Sequence, residues 1–217
     1  MNLNSYIDHT YLKPEGTQVE IDQLIKEAID YQFKTVCINP TWIEYANAAL
    51  RGTDVEVCTV IGFPLGAMST ESKIFEARDA IDKGADEVDM VINIGMLKNR
   101  DLDYVSSEIR SIKNTCQNKI LKVIIETALL TEEEIALASQ AVLQGGGDFV
   151  KTSTGFSTRG ASVEDVKIIK SIVGDNCKIK ASGGIRTHKD MMAMIEAGAD
   201  RIGASAGKVL LGQNTAL

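Results

Sequence analysis

The stretch TEEEIALASQAVLQGGGDFVKT, residues 131–152, decides the fold. Thr131 followed three residues later by Glu134 fits a capping box, in which each side chain satisfies an orphan backbone donor at a helix start. Ile135, Ala138, Ala141 and Val142 then recur at helical spacing and form one apolar stripe. Gly145 offers a helix stop. After the glycines the pattern changes. Residues 149–152 are a short apolar run of a length that suits a strand buried on both faces of a parallel sheet. Helix, tight turn and strand make one αβ unit, and a lysine, Lys151, stands within its strand.

The same unit recurs outward in both directions. Strand-like runs are expected at 6–9, 35–38, 56–61, 87–92, 121–126, 149–152, 178–181 and 201–203. Their spacing of roughly 20–35 residues is that of a strand plus a crossover helix. Val19, Ile21, Leu24, Ile25, Ala28 and Ile29 make one helical stripe; Ile74, Ala77, Ala80 and Ile81 make another. Thr17 with Glu20 and Thr41 with Glu44 fit further capping boxes, with Ser162 and Thr187 as looser versions. Gly52, Gly84, Gly174 and Gly198 mark other helix ends. No GxGxxG follows an early strand, as an open dinucleotide-binding sheet would have it. The expectation is α/β, a single-domain (β/α)8 TIM barrel spanning residues 1–217, with its chemistry where strands end and βα loops begin.

The 217 residues carry 23 Lys and Arg against 30 Asp and Glu, a net charge of −7, which argues against a general nucleic-acid binder. No apolar run approaches the ~18 residues of a membrane span. The start has neither a positive n-region nor an apolar h-region, so no signal peptide is expected and the setting is read as cytoplasmic. Cys37, Cys58, Cys116 and Cys177 form no CxxC and read as buried reduced thiols. With only His9 and His188, no dedicated zinc site and no metal are expected. His9, beside Asp8, stays ambiguous between packing and site, and His188 reads as surface. Met191, Met192, Met194 and Trp42 read as packing residues.

Four charged groups at strand ends resist a packing explanation: Asp8, Asp89, Lys151 and Lys180. One buried lysine–aspartate pair would be an ordinary structural feature. Two lysines near one carboxylate leave an excess of positive charge, a cost that structure alone does not explain. Schiff-base chemistry uses it, because an amine attacks a carbonyl only when neutral. A second ammonium ~5 Å away, at an effective dielectric of about 20, opposes protonation by ~3.3 kcal/mol. Glycine-rich loops follow the last two strands, at Gly183-Gly184 and Gly203 to Ser205. In eight-fold barrels this is where bare backbone N–H groups cradle phosphate. Thr154 and Gly155 are candidates for added contacts.

These residues carry a resemblance. EVDMVIN (87–93), LKVIIET (121–127), FVKTSTGF (149–156), KASGGIR (180–186) and RIGAS (201–205) are similar to segments of the deoxyribose-phosphate aldolase family of class I aldolases, and the likeness covers nearly the whole chain. The resemblance implies Lys151 as the Schiff-base lysine, with Lys180 perturbing it and sharing proton transfer with Asp89. It implies a supporting role for Asp8 and a 5-phosphate held by the glycine loops and Ser205. The reaction implied is reversible cleavage of 2-deoxy-D-ribose 5-phosphate to D-glyceraldehyde 3-phosphate and acetaldehyde, with no cofactor. The partners expected are a small phosphosugar and acetaldehyde, with no nucleic acid and no membrane. A homodimer is one expectation, although an amphipathic barrel helix looks the same facing water or a copy of itself. The alternatives are a Schiff-base aldolase or transaldolase acting on a keto sugar phosphate, or a non-catalytic phosphosugar-binding barrel. Two departures stand out. Phe156 occupies a position where some members carry lysine, and the 212–217 tail lacks the tyrosine that some members turn toward the phosphate.

Overall fold

The computed structural model describes residues 2–212, so most of the tyrosine-free tail lies outside the described residues. Eight parallel strands close into a barrel in sequence order. They are β1 (Ile7–Tyr11), β2 (Thr35–Ile38), β3 (Glu56–Ile61), β4 (Glu87–Val91), β5 (Ile120–Ile124), β6 (Phe149–Lys151), β7 (Lys178–Ser182) and β8 (Arg201–Ala204). Around them run α1 (Gln18–Asp30), α2 (Ile43–Ala49), α3 (Thr70–Asp82), α4 (Ile94–Lys98), α5 (Leu102–Cys116), α6 (Glu132–Gly145), α7 (Val163–Val173), α8 (His188–Ala197) and the short α9 (Gly207–Leu210).

The alternation along each strand separates two interiors. Val88 and Met90 of β4, Leu121 and Val123 of β5, and Ile179 and Ala181 of β7 point outward and join one continuous apolar core beneath the helices. Their neighbours Glu87, Asp89, Lys122, Lys180 and Arg201 are buried on the other face, inside the bore. The bore's apolar share is a separate small cluster, Leu12, Cys37, Cys58 and Val60, with Phe63 packed over it.

Local signals account for most helix boundaries. Thr17–Glu20 and Thr131–Glu134 form complete capping boxes, and so does Thr187 with Asp190. The Thr41–Glu44 box does not form. Pro40 opens a 3-10 turn over Pro40–Trp42, and α2 starts from Trp42 without a side-chain cap. Gly145 is the last residue of α6; the left-handed cap is Gly146. Val19, expected on the apolar stripe of α1, is 73% exposed, whereas Ile21, Leu24, Ile25 and Ala28 are buried. Ile29, also expected on that stripe, is 39% exposed in the last turn. All four cysteines are buried free thiols.

Candidate active site

The register of neighbouring strands assembles the centre of the bore. Asp89 pairs across to Lys122, Lys151 to Lys180, and Lys180 to Arg201. Lys151 Nζ and Lys180 Nζ both donate to the same oxygen, Asp89 Oδ2, at 2.7 and 2.8 Å. The two amines therefore stand within two hydrogen-bond lengths of each other, as the sequence reading requires. Asp8 joins from β1, with its Oδ2 2.6 Å from Lys180 Nζ and its Oδ1 accepting from Arg201 at 2.5 Å. Gly203 of β8 leaves the room that Lys180 fills: a Cβ there would lie 3.0 Å from Lys180 Cε.

Three members of this cluster escaped the sequence reading. Lys122 Nζ lies 2.8 Å from Asp89 Oδ1 and 2.5 Å from Glu87 Oε2. Arg201 spans Asp8 and Glu87, donating to Glu87 Oε1 at 2.9 Å. The signal was in the period-two spacing. Glu87 stands two residues before Asp89 and so shares its face, while Lys122 interrupts an apolar run.

Four cations, Lys122, Lys151, Lys180 and Arg201, thus meet three carboxylates, Asp8, Glu87 and Asp89. Burial by itself would push the Asp89 carboxyl up, but Lys122, Lys151 and Lys180 outweigh it and hold it well below the usual carboxylate range. Asp8 is likewise held down by Lys180, Lys122 and Arg201 against its burial. Burial pulls the Lys180 amine down, and Asp8 and Asp89 more than reverse this, so Lys180 stays a firm ammonium. Lys122 is raised in the same way by Asp89, Cys58, Glu87 and Asp8. Lys180, Lys122 and Arg201 each touch two carboxylates or more; Lys151 touches only Asp89. It is also, at 3% exposure, the lysine of the three that reaches solvent.

Cys37 and Cys58 are register partners facing Asp89. A hydrogen bond with Cys58 brings the Cys37 thiol down to about 7, while burial pushes Cys58 up. These two sulfurs and an Asp89 oxygen lie within 4.8 Å of one another, a spacing compatible with metal ligation, but Asp89 is already taken by ammonium groups. His9 points away from the bore, with its Nε2 2.8 Å from Glu27 of α1. His188 is exposed.

The loops at the strand C-termini form the mouth. Gly183 and Gly184 have φ of +80° and +77°, conformations that suit glycine. The β6 and β7 loops touch so closely that a Cβ on Gly160 would fall 2.0 Å from the Gly183 oxygen. Gly155, Gly184 and Ser205 are exposed at this end. Gly203 is not; it lies within β8, where it makes space for Lys180. Thr154 commits both its backbone N–H and its hydroxyl to Glu126. Phe156 is 51% exposed and meets Phe63 edge-on, with ring centroids 5.3 Å apart.

Known proteins resemble the chain over nearly its whole length. Residues 3–215 match the model of the DeoC/LacD family of aldolases. The chain is 54% identical over its full length to the deoxyribose-phosphate aldolase of Streptococcus gordonii, covering 98% of that protein. It is 58% identical over 207 residues to that of Staphylococcus saprophyticus, covering 95% of this chain and 94% of the relative. Among solved structures, the tetrameric deoxyribose phosphate aldolase of Aeropyrum pernix superposes with a TM-score of 0.89 at 32% identity, over 99% of this chain and 91% of that one.

Proposed function

Because the chain belongs to the DeoC/LacD aldolase family, a lyase family, we propose a reading of its bore in which Lys151 is the nucleophile and Lys180 and Asp89 manage its protons. The activity is class I aldol cleavage of 2-deoxy-D-ribose 5-phosphate. The observation that carries the assignment is the uneven pairing of four cations with three carboxylates. If one lysine sheds its proton, the cluster becomes neutral. Lys151, with a single carboxylate partner and a path to the mouth, is the one that loses least by doing so.

The neutral Lys151 amine attacks C1 of the open-chain sugar, and loss of water gives the iminium. The C3 hydroxyl passes its proton through a water to the Asp89–Lys180 relay, the C2–C3 bond breaks, and the electron pair moves into the iminium to form an enamine while glyceraldehyde 3-phosphate leaves. Protonation of the enamine at C2 and hydrolysis of the imine release acetaldehyde and regenerate the amine. Lys180, held as an ammonium, is the proton donor beside Lys151, and Asp89 keeps both nitrogens in place. Asp8 supports Lys180. The backbone at Gly155, Gly183 and Gly184 together with Ser205 presents the donors for the phosphate.

The whole chain, residues 1–217, is read as one catalytic domain. Among the described residues no helix is long and apolar enough to cross a membrane. A cytoplasmic setting agrees with four unpaired thiols. A homodimer is the assembly proposed, and light scattering distinguishes it from a tetramer such as the Aeropyrum pernix relative forms. Borohydride reduction in the presence of acetaldehyde tests the chemistry. The expected product is a single ethyl adduct on Lys151; an unmodified Lys151 in a fully active enzyme would overturn the assignment.

A further inference from the structure

Glu126 is the unusual residue at the mouth. It follows β5 by two positions and adopts φ +56° and ψ +67°, the left-handed region that a residue with a side chain rarely enters. Its carboxylate is almost wholly buried and, among the described residues, has no ion-pair partner. It accepts instead from Thr154, from the backbone N–H at 3.3 Å and from the hydroxyl in a very short bond. A non-glycine residue held in this conformation persists only where its surroundings fix it, and such residues gather at functional sites.

The chain that Glu126 grips is the one that leaves Lys151. Each residue of the polar triplet after the lysine is tied to a neighbour. Thr152 and Ser182 exchange bonds on the β7 side, and Ser182 Oγ donates to the Ser153 oxygen at 2.7 Å. Thr154 turns the other way, to Glu126 on the β5 side. The Thr154 hydroxyl then accepts the Phe156 N–H at 3.0 Å, which fixes the residue whose ring meets Phe63 from the β3 loop. Strands β3 and β6 are three places apart around the ring, so this aromatic pair spans the β4–β5 side of the opening.

We propose that Glu126 is a positioning residue for the aldol reaction: through Thr154 it braces the segment after Lys151 against β5, which holds the amine on Asp89 and the Phe156 ring across the mouth. A carboxylate suits this task because it accepts from two donors at once and donates nothing. The Thr154 N–H lies 3.3 Å from both carboxylate oxygens, so an amide in its place would set an NH2 group against that donor even with its oxygen at the Oε2 position. The inference rests on Lys151 as nucleophile.

The test separates the two claims by measuring the rate of borohydride trapping by acetaldehyde at Lys151, together with kcat and KM. Failure of wild-type protein to trap at Lys151 would overturn the assignment of the nucleophile. With wild type trapping normally, Glu126→Gln and Thr154→Val are each expected to slow trapping and kcat by about 10-fold or more, with little change in KM for acetaldehyde. Thr154→Ser, which keeps both donors, is expected to restore rates to within about 3-fold of wild type, and the double variant to be no slower than the worse single one. Trapping at the wild-type rate in Glu126→Gln or in Thr154→Val would overturn the proposal. So would multiplying effects in the double variant, or a lowered melting temperature with kcat per folded molecule unchanged.

Discussion

Two groups of buried charges lie one either side of the wall formed by β4, and they are built differently. Outside the barrel, Lys73 of α3 meets Glu108 of α5 at 2.9 Å, both side chains fully enclosed. Further partners complete the pair: Lys73 donates to the Val91 oxygen at 2.8 Å, and Glu108 accepts the Asn93 N–H at 3.2 Å and the Thr70 hydroxyl at 3.4 Å. One cation faces one anion, and the pair clamps two helices onto the end of β4. Inside the barrel, four cations face three anions around Asp89. A matched pair with backbone partners is a strut. An unmatched ammonium among matched ones is a group with a reason to lose its proton, which is what an amine nucleophile needs.

The largest test of that contrast is Lys151→Met. Activity is expected to fall by about 10⁴-fold or more, roughly 5 kcal/mol of transition-state stabilisation. Stability is expected to change by no more than about 1 kcal/mol, because the three cations that remain still balance the three carboxylates. Steady-state kinetics and urea unfolding on one preparation read both; a variant destabilised by more than that would mean that Lys151 belongs to the strut after all. Lys73→Met should do the opposite. It strands Glu108 in an apolar wall and should cost about 3–5 kcal/mol, whereas Lys73→Met combined with Glu108→Leu should regain most of that loss. If the double variant remains as unstable as the single one, the pair is more than a balanced strut.

The strand ladder was legible because eight short β-branched or apolar runs recur at the spacing of a strand plus a crossover helix. Residues 35–38 and 56–61 fold as strands over the expected ranges. Lys151, Lys180, Asp89 and Asp8 were legible as charges near strand ends with no solvent to face, and the structure gathers them. Lys122 was not, because a lysine early in a strand looks the same whether it enters the bore or hangs at the open bottom. Lys178, early in β7, is in fact exposed. Barrel tilt decides between the two cases, and no local pattern encodes it. The failed Thr41–Glu44 box is a case of competing local rules, in which the fixed φ of Pro40 starts a tighter turn before the cap can act. Glu126 was silent because its partner, Thr154, lies 28 residues further on.

The smallest effect lies at alkaline pH, where the two groups of charges act with opposite sign. Burial lowers the Lys73 amine despite Glu108, so the folded protein gives up that proton before the unfolded chain does. Over that window, below an unfolded lysine's ~10.4, the unfolded state binds more protons and stability rises with pH. Lys122 and Lys180 are raised, so their contribution is fully present below ~10.4 and is lost as pH climbs above it. For these lysines wild-type stability is therefore expected to rise slightly toward pH ~10 and then to fall. In the Lys73→Met, Glu108→Leu variant that rise is absent, so the stability gap to wild type should widen as pH approaches ~10. Urea midpoints measured from pH 8 to 11 check this. Parallel curves for the two proteins would mean that Lys73 keeps its proton as firmly as the lysines of the bore, and the distinction between the two groups would then rest on stoichiometry alone.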